Sequence, residues 1–254
     1  MHHRLLMKII PLSEGSFTVD NTKQFVPFDQ QTENLQSRPG GSLLVEIQPF
    51  VVITTNDILL LDTGLGFSDK DGKMQLHKNL AKVGIEPSAV TKVLMSHLHK
   101  DHAGGISLDN DRKQLSLPGA TYYIQQREFD LAVKKGFPSF IPGELHALSD
   151  SNKVVWLQDD EGSIDGYIHY KVTGAHSPLH QVFWLKDPEG IVFFGGDDAP
   201  QLHQMKHRFV AKYDYDGKKA MELRKEWWLE GEKEKWTFLF YHDIKTPVYK
   251  KAED

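Results

Sequence analysis

The feature that most constrains this chain is a cluster of imidazole and carboxylate side chains directly after a β-rich stretch. His97, His99, Asp101 and His102 form the pattern H-x-H-x-D-H, and the stretch VTKVLMS before them predicts a strand. Side chains alternate along a strand, so we expect His97 and His99 on one face, where both can reach one ion. Nitrogen and carboxylate ligands without sulfur suit zinc, iron, manganese or cobalt.

The cluster by itself cannot fill two metal sites, so the fold has to supply further histidines and a bridging carboxylate. Three downstream residues qualify: His176 lies in a loop between two predicted strands, Asp197 follows the strand GIVFF, and His242 ends the strand WTFLFY. Strand ends present polar side chains on a rigid scaffold. Gly104 and Gly105, which follow the cluster, allow the backbone to pass close to the site.

Short apolar strands and amphipathic helices alternate along the chain. Strands are predicted at Leu43–Ile47, Val51–Thr54 and Ile58–Leu61, at the start of the chain, and in ATYYIQQ, KVVWLQ, YIHYKVTG and QVFWLKD. Helices are predicted in MQLHKNLAKVG, QREFDLAVKKG and DGKKAMELRKEWWLEG. The polar segment 13–41 is too long for a structureless loop, so we expect it to be functional or partly structured. This pattern predicts one α/β domain over residues 1–254, with two sheets and helices outside.

Composition excludes several classes of protein. The chain has 254 residues, 39% of them hydrophobic, which is enough for a sizeable core. It has no cysteine, which excludes disulfides and thiolate ligands, and its net charge of −5 argues against a nucleic-acid partner. Neither a signal peptide nor a membrane span is predicted. We therefore expect a cytoplasmic enzyme that acts on a small molecule; its oligomeric state stays open.

The ligand pattern, extended by Asp62 in the segment ILLLDTG, resembles the metallo-β-lactamase superfamily over nearly the whole chain. The resemblance implies a four-layer αββα sandwich with its site at one edge of the sheets. It implies one metal ion held by His97, His99 and His176. It implies a second ion held by Asp101, His102 and His242, with Asp197 bridging the two ions. Asp62 is implied to be the buried hydrogen-bond partner of a ligand histidine.

Such a site predicts hydrolysis. Two divalent ions, zinc with iron or manganese as alternatives, would share a water and lower its pKa toward neutrality. The resulting bridging hydroxide would attack the substrate, and Asp101 would accept and return a proton. The spacing of the ligands most resembles the lactonase branch, which includes enzymes that open N-acyl homoserine lactones. Those enzymes carry a tyrosine about three residues after the bridging aspartate, where this chain has Pro200.

The predicted function is therefore hydrolysis of a small ester or lactone. The substrate is either an N-acyl homoserine lactone or another compound of this class. The alternatives are a phosphodiesterase or nuclease on the same site, a mononuclear iron dioxygenase, and a non-catalytic binding module.

Other residues have competing interpretations. The loop Gly136–Leu145 is apolar but rich in Pro and Gly, so Phe137 and Phe140 are expected to line the substrate mouth or to pack the preceding helix into the core. His180 is interpreted as a ligand, a partner of a ligand, or a structural residue. A structural role is favoured for four further histidines: His146, His169, His203 and His207. Asp198 competes with Asp197 for the bridging role.

Overall fold

The computed structural model describes residues 7–108, 112–149, 151–188 and 190–251. Its strands are, in chain order, β1 (Lys8–Pro11), β2 (Gly15–Val19), β3 (Phe25–Pro27), β4 (Leu43–Ile47), β5 (Phe50–Ile53), β6 (Ile58–Leu61), β7 (Lys92–Leu94), β8 (Thr121–Gln125), β9 (Val154–Leu157), β10 (Glu161–Ile164), β11 (Ile168–Val172), β12 (Gln181–Asp187), β13 (Gly190–Phe194), β14 (Thr237–Leu239) and β15 (Val248–Lys250). The helices are α1 (Gln75–Lys82), α2 (Lys100–Ala103), α3 (Gln126–Lys135), α4 (His146–Ser149), α5 (Leu202–Lys206) and α6 (Gly217–Glu234). No helix in these ranges is long and apolar enough to cross a membrane.

The strands form two large sheets and one small one. The first six-stranded sheet has the order β1-β5-β6-β7-β8-β9, and its strands from β6 to β9 are parallel. The second six-stranded sheet has the order β10-β11-β12-β13-β14-β15 and contains one parallel pair, β13 with β14. The small sheet has the order β3-β2-β4.

Alternate residues of the same strands pack into different layers. On the outer face of the first sheet, Val51 and Leu60 belong to one buried cluster with Leu76 and Leu80 of α1. Their neighbours Val52, Leu59 and Leu61 point the other way and share a core with Phe183 and Phe194 of the second sheet. On the outer face of the second sheet, Phe193 and Phe238 pack with Trp227 of α6. The predicted four-layer αββα arrangement is confirmed.

The predicted helices and strands are present, and the polar segment 13–41 contains two strands. β2 and β3 form a hairpin that pairs with β4, because Phe17 and Val19 alternate with polar residues in a period of two. Local sequence signals did not indicate β10, β15 or the short helices α2 and α5. The sequences of β10 (EGSI) and β15 (VYK) are too short or too polar for a local signal.

The two glycines after the histidine cluster allow a close backbone contact. A Cβ atom on Gly105 would lie 2.1 Å from the carbonyl oxygen of Thr63, and one on Gly104 would lie 2.2 Å from that of Leu65. Thr63 N in turn donates a hydrogen bond to His102 O at 2.7 Å. The loop after β6 therefore packs directly on α2, as expected from the absence of side chains at these two positions.

Candidate metal centre

The first sheet contributes the histidine cluster from beyond the end of β7. The strand ends at Leu94, because Ser96 N donates to the carboxylate of Asp62 at 2.7 Å and leaves the ladder. His97 and His99 therefore follow the strand, as expected, and the alternation of side chains along a strand does not extend to them. Both lie in the following loop, and their rings still converge with centroids 4.5 Å apart. Asp101 and His102 follow in the single turn of α2.

The second sheet contributes the three distant residues at the same edge. His176 lies in the loop between β11 and β12. Asp197 lies in a 3₁₀ turn directly after β13, and His242 follows β14. β13 and β14 are parallel, so their carboxyl ends deliver both residues to one edge.

Asp197 lies at the centre of the cluster, with its two carboxylate oxygens facing different histidines. Oδ1 lies 2.9 Å from His242 Nε2 and 3.1 Å from His102 Nε2. Oδ2 lies 3.2 Å from His176 Nε2 and 3.9 Å from His97 Nε2. The carboxylate therefore faces two separate groups of nitrogen atoms.

These two groups have the composition of metal sites. In the first, the ligand atoms of four residues lie within 4.8 Å of one another: His97, His99, His176 and Asp197. In the second, the same holds for Asp101, His102 and His242. Asp101 Oδ2 lies 3.7 Å from His102 Nε2 and 3.6 Å from His242 Nε2. All seven candidate ligands named from the sequence are thus brought together.

Unpartnered atoms in the cluster fit a divalent cation. His97 Nε2, His102 Nε2 and Asp197 Oδ1 are buried, and none of them forms a well-aligned hydrogen bond with the described residues, although histidine nitrogens lie close to Oδ1. Buried polar atoms are almost always hydrogen-bonded, so three convergent exceptions need another partner. Imidazole nitrogens and carboxylate oxygens at these spacings suit a first-row divalent ion.

Hydrogen bonds on the far side of the rings fix three of the histidines. His102 Nδ1 donates to Asp62 at 2.7 Å, His242 Nδ1 donates to the carbonyl of Glu46 at 2.7 Å, and His176 Nδ1 donates to Asp214 at 2.9 Å. Each bond leaves Nε2 facing the cluster, the usual arrangement for metal-binding histidines. Asp62 has the position implied by the resemblance, whereas the sequence analysis missed Glu46 and Asp214.

Asp198 and His180 support Asp197 and lie outside both groups. His180 Nε2 accepts a hydrogen bond from Asp197 N at 3.1 Å, and its Nδ1 lies 3.0 Å from Asp198 Oδ2. Asp198 also accepts from His176 N at 2.7 Å. His203 and His207 are exposed at α5, away from the cluster.

Two further buried charged residues hold the ligand loops, and no local pattern indicated them. The carboxylate of Glu128 accepts hydrogen bonds from Leu98 N at 3.3 Å and from the hydroxyl of Ser177 at 3.2 Å, so it joins the loops of His97 and His176. Burial raises the pKa of Glu128. Arg224 of α6 donates to the carbonyl of Asp198 at 2.9 Å and ties the outer helix to the turn of Asp197.

Burial and mutual charge divide the histidines into two sets. Burial lowers the pKa of His97 and His99, and neighbouring imidazoles lower it further, so both favour the neutral form that binds metals. Burial also opposes protonation of His102 and His242, but the charges of Asp197 and Asp101 together with hydrogen bonds to carboxylates outweigh it and raise their pKa. Burial would raise the pKa of Asp197, yet the surrounding histidines hold it well below its usual value.

A pocket with a volume of about 160 Å³ opens onto the cluster. Five of the candidate ligands line it: His99, Asp101, His176, Asp197 and His242. Its walls include Val19, Leu43 and Phe209, and Pro200 and Tyr213 lie beside the ligands.

The loop Gly136–Leu145 contributes Ser139 to this pocket. Phe140 is 1% exposed and packs in the core behind the site, with its ring centroid 4.8 Å from that of His99. Phe137 is 73% exposed at the rim. Among the described residues, neither Phe137 nor Phe140 lines the pocket. This arrangement favours the alternative interpretation of Phe140, in which the side chain packs into the core.

Comparison with known proteins identifies the same family that the sequence resembles. The family described as the metallo-beta-lactamase superfamily matches residues 46–226. The chain is 30% identical over 115 residues to the N-acyl homoserine lactonase AttM of Agrobacterium fabrum (strain C58), an alignment that covers 42% of this chain and 40% of that protein. The chain thus matches less than half the length of this curated relative.

Solved structures resemble the whole chain. A probable metal-dependent hydrolase from Staphylococcus aureus has a TM-score of 0.78 and 21% identity, covering 98% of this chain and 93% of that one. AidC, a dizinc quorum-quenching lactonase, has a TM-score of 0.72 and 18% identity, covering 99% and 92%. At these identities the likeness shows a shared fold.

Proposed function

Because the chain belongs to the metallo-beta-lactamase superfamily, we propose that it is a dinuclear metal-dependent hydrolase of a small ester or lactone, with one catalytic domain over residues 1–254. One observation carries this proposal. The two oxygens of Asp197 face separate histidine groups, at the floor of a pocket that the ligands themselves line. A carboxylate in that position is suited to bridge two cations.

His97, His99 and His176 would hold one ion, and Asp101, His102 and His242 the other, with Asp197 between them. Zinc is the proposed metal, with iron or manganese as alternatives. When bound, the ions would polarise the scissile carbonyl and lower the pKa of a shared water, so that a bridging hydroxide is available near neutral pH.

Asp101 is the proposed proton carrier. Its carboxylate lines the pocket, and Tyr241 Oη fixes its backbone by a hydrogen bond to Asp101 O at 2.7 Å. From there Asp101 can accept a proton during attack and return it to the leaving alkoxide.

The size and lining of the pocket support a small, partly apolar substrate. Its volume of about 160 Å³ is comparable with a cavity of about 150 Å³ that holds a benzene molecule. A lactone ring or a short ester group therefore fits beside the ligands, with the remainder of the substrate against Val19, Leu43 and Phe209 at the mouth. The relative AttM is named as a lactonase, which agrees with this substrate class.

A metal analysis followed by an activity panel tests the proposal. We expect two divalent ions per chain, turnover of a lactone or carboxylic ester near neutral pH, and loss of that activity after dialysis against a chelator. Adding back zinc, iron or manganese separately should restore the activity and identify the metal. Fully loaded protein that cleaves bis-4-nitrophenyl phosphate but no ester or lactone would make the phosphodiesterase alternative correct. One iron per chain with oxygen consumption would indicate the dioxygenase.

Tyr213 is the proposed hydrogen-bond donor to the substrate. Its hydroxyl accepts a hydrogen bond from Gln204 Nε2 at 3.2 Å, which leaves its own proton available to the pocket. Burial raises the pKa of Tyr213 to about 12, so the phenol stays protonated at neutral pH. It lies beside the ligands, with its ring centroid 6.1 Å from that of His176. Pro200, which stands near Asp197 in sequence, cannot donate such a bond from its side chain.

Replacing Tyr213 by phenylalanine is therefore expected to slow the reaction. Loss of one donor to a developing oxyanion costs about 100-fold in kcat in comparable sites. We expect that loss in Tyr213→Phe, measured by steady-state kinetics, with metal content and melting temperature close to those of the wild type. Tyr215→Phe is the matched control, since Tyr215 is 70% exposed and does not line the pocket. Equal kcat values for the two variants would remove Tyr213 from the mechanism.

A further inference from the structure

Two lysines line the candidate active-site pocket, and the proposed hydrolysis uses neither. Lys23 lies just beyond the turn between β2 and β3, and Lys100 is the first residue of α2, between His99 and Asp101. Both side chains are half-buried. Both lysines border the same pocket as the candidate ligands His99 and Asp101.

Aromatic rings hold the Lys100 ammonium at the rim. Its Nζ atom lies 5.8 Å from the ring centroid of Phe25 and 5.5 Å from that of Phe137. Cation–π contacts at these distances orient an ammonium without neutralising it. They also account for Phe137, a large aromatic side chain that is otherwise exposed.

Neither ammonium pairs with a carboxylate of the described residues. Within the described ranges, no carboxylate oxygen lies within 4.0 Å of Lys23 Nζ or Lys100 Nζ. The two acidic residues whose charges act on Lys100 contact other side chains. Asp101 faces His102 and His242, and Glu144 pairs with Arg112 at 3.0 Å.

Other half-buried lysines of this chain are paired. Lys92 contacts Asp57 and, at 3.0 Å, Asp165, and Lys78 contacts Asp69 at 3.1 Å. Two like charges brought together in a partly desolvated pocket repel each other, and an anion between them relieves that cost. Among the half-buried lysines of the described residues, only the two in the pocket therefore have no carboxylate within 4.0 Å.

We propose that Lys23 and Lys100 form an anion subsite, and that the substrate is an ester or lactone bearing a carboxylate or phosphate remote from the scissile bond. The inference rests on the proposed function, because the scissile carbonyl is placed at the ligands. The apolar side chains of Val19, Leu43 and Val45 line the same pocket and suit a short hydrocarbon link between the two groups. Lysine, a point charge on a flexible stem, accommodates either anion without fixed bidentate geometry.

Binding of reaction products tests the subsite without requiring turnover. Succinate and butyrate have equal chain length, and each carries one carboxylate for the ligand cluster, but only succinate carries a second. Titration calorimetry on metal-loaded protein should give a Kd about tenfold lower for succinate, an advantage that shrinks at high salt. Substituting 3-phosphonopropionate for succinate shows which anion the subsite prefers.

The variants Lys23→Gln and Lys100→Gln should each reduce the advantage of succinate severalfold, and the double variant should abolish it. Lys233→Gln, which removes an exposed charge on α6, is the matched control and should retain it. Metal content is measured in every variant, since Lys100 adjoins two candidate ligands. Equal affinities for succinate and butyrate in the wild type, or an advantage that survives in the double variant, would overturn the inference.

Turnover separates this inference from the proposed function. Mono-4-nitrophenyl succinate should be cleaved with a kcat/KM about tenfold above that of 4-nitrophenyl butyrate. Cleavage of both esters at equal kcat/KM would overturn the inference and leave the hydrolase proposal intact. If the protein cleaves neither ester and no lactone but still binds succinate more tightly than butyrate, the hydrolase proposal is overturned and the anion subsite stands.

Discussion

Replacing Asp197 by asparagine is expected to abolish most of the activity and to lower the metal content from two ions per chain to one or fewer. The amide has no negative charge and only one oxygen, so it cannot face both histidine groups as the carboxylate does at 2.9 Å and 3.2 Å. Loss of a partner that merely orients a ligand already costs about 10–100-fold in affinity or activity. We therefore expect kcat to fall by more than about 100-fold.

The measurement combines elemental analysis with steady-state kinetics. His203→Ala is the control, because His203 is exposed on α5 and belongs to neither histidine group. It should bind the same amount of metal as the wild type. A wild-type protein with a single ion that Asp197→Asn retains in full would exclude the dinuclear site.

Replacing Phe140 by alanine is expected to cost about 3–5 kcal/mol in the free energy of unfolding, the usual range for emptying a buried phenylalanine site. The ring is 1% exposed, belongs to the buried cluster on the outer face of the first sheet, and packs against His99. Urea denaturation of the metal-free and the metal-loaded protein measures the change, and the difference between them reports how far the ring also supports the metal site.

Phe137→Ala is the matched control, from the same loop and with the same change of side chain. Its ring is 73% exposed, and exposed substitutions usually stay within about 0.5 kcal/mol. If Phe140→Ala instead raised KM for an apolar ester while leaving the unfolding midpoint unchanged, Phe140 would be a wall of the pocket and the buried packing described above would be wrong.

The histidine cluster and the strand pattern carried the prediction of fold and site. Strands such as ILLL and GIVFF are apolar on both faces, because each lies between the central core and an outer helical layer, and such runs can be recognised locally. The candidate ligands were also recognisable from the sequence, since histidine and aspartate directly after such strands have few other reasons to occur together. All seven converge in the structure.

The hydrogen-bond partners of the candidate ligands could not be predicted in this way. His242 donates to the backbone carbonyl of Glu46, a group that every residue possesses, from 196 positions away in the chain. Asp214 and Glu128 lie in segments whose charge pattern is that of an ordinary solvated surface, yet both face the site. Nothing local distinguishes them from the exposed acidic residues around them.

The sequence by itself determined which side chains are candidate metal ligands and which strands they follow, because ligand chemistry and the period of burial are properties of short segments. Only the tertiary structure decided that Tyr213 and Lys23 line the same pocket and that Phe140 packs behind it. These features depend on contacts between segments distant in the chain. Such contacts are set by how the layers pack, so the periodicity of a short segment cannot predict them.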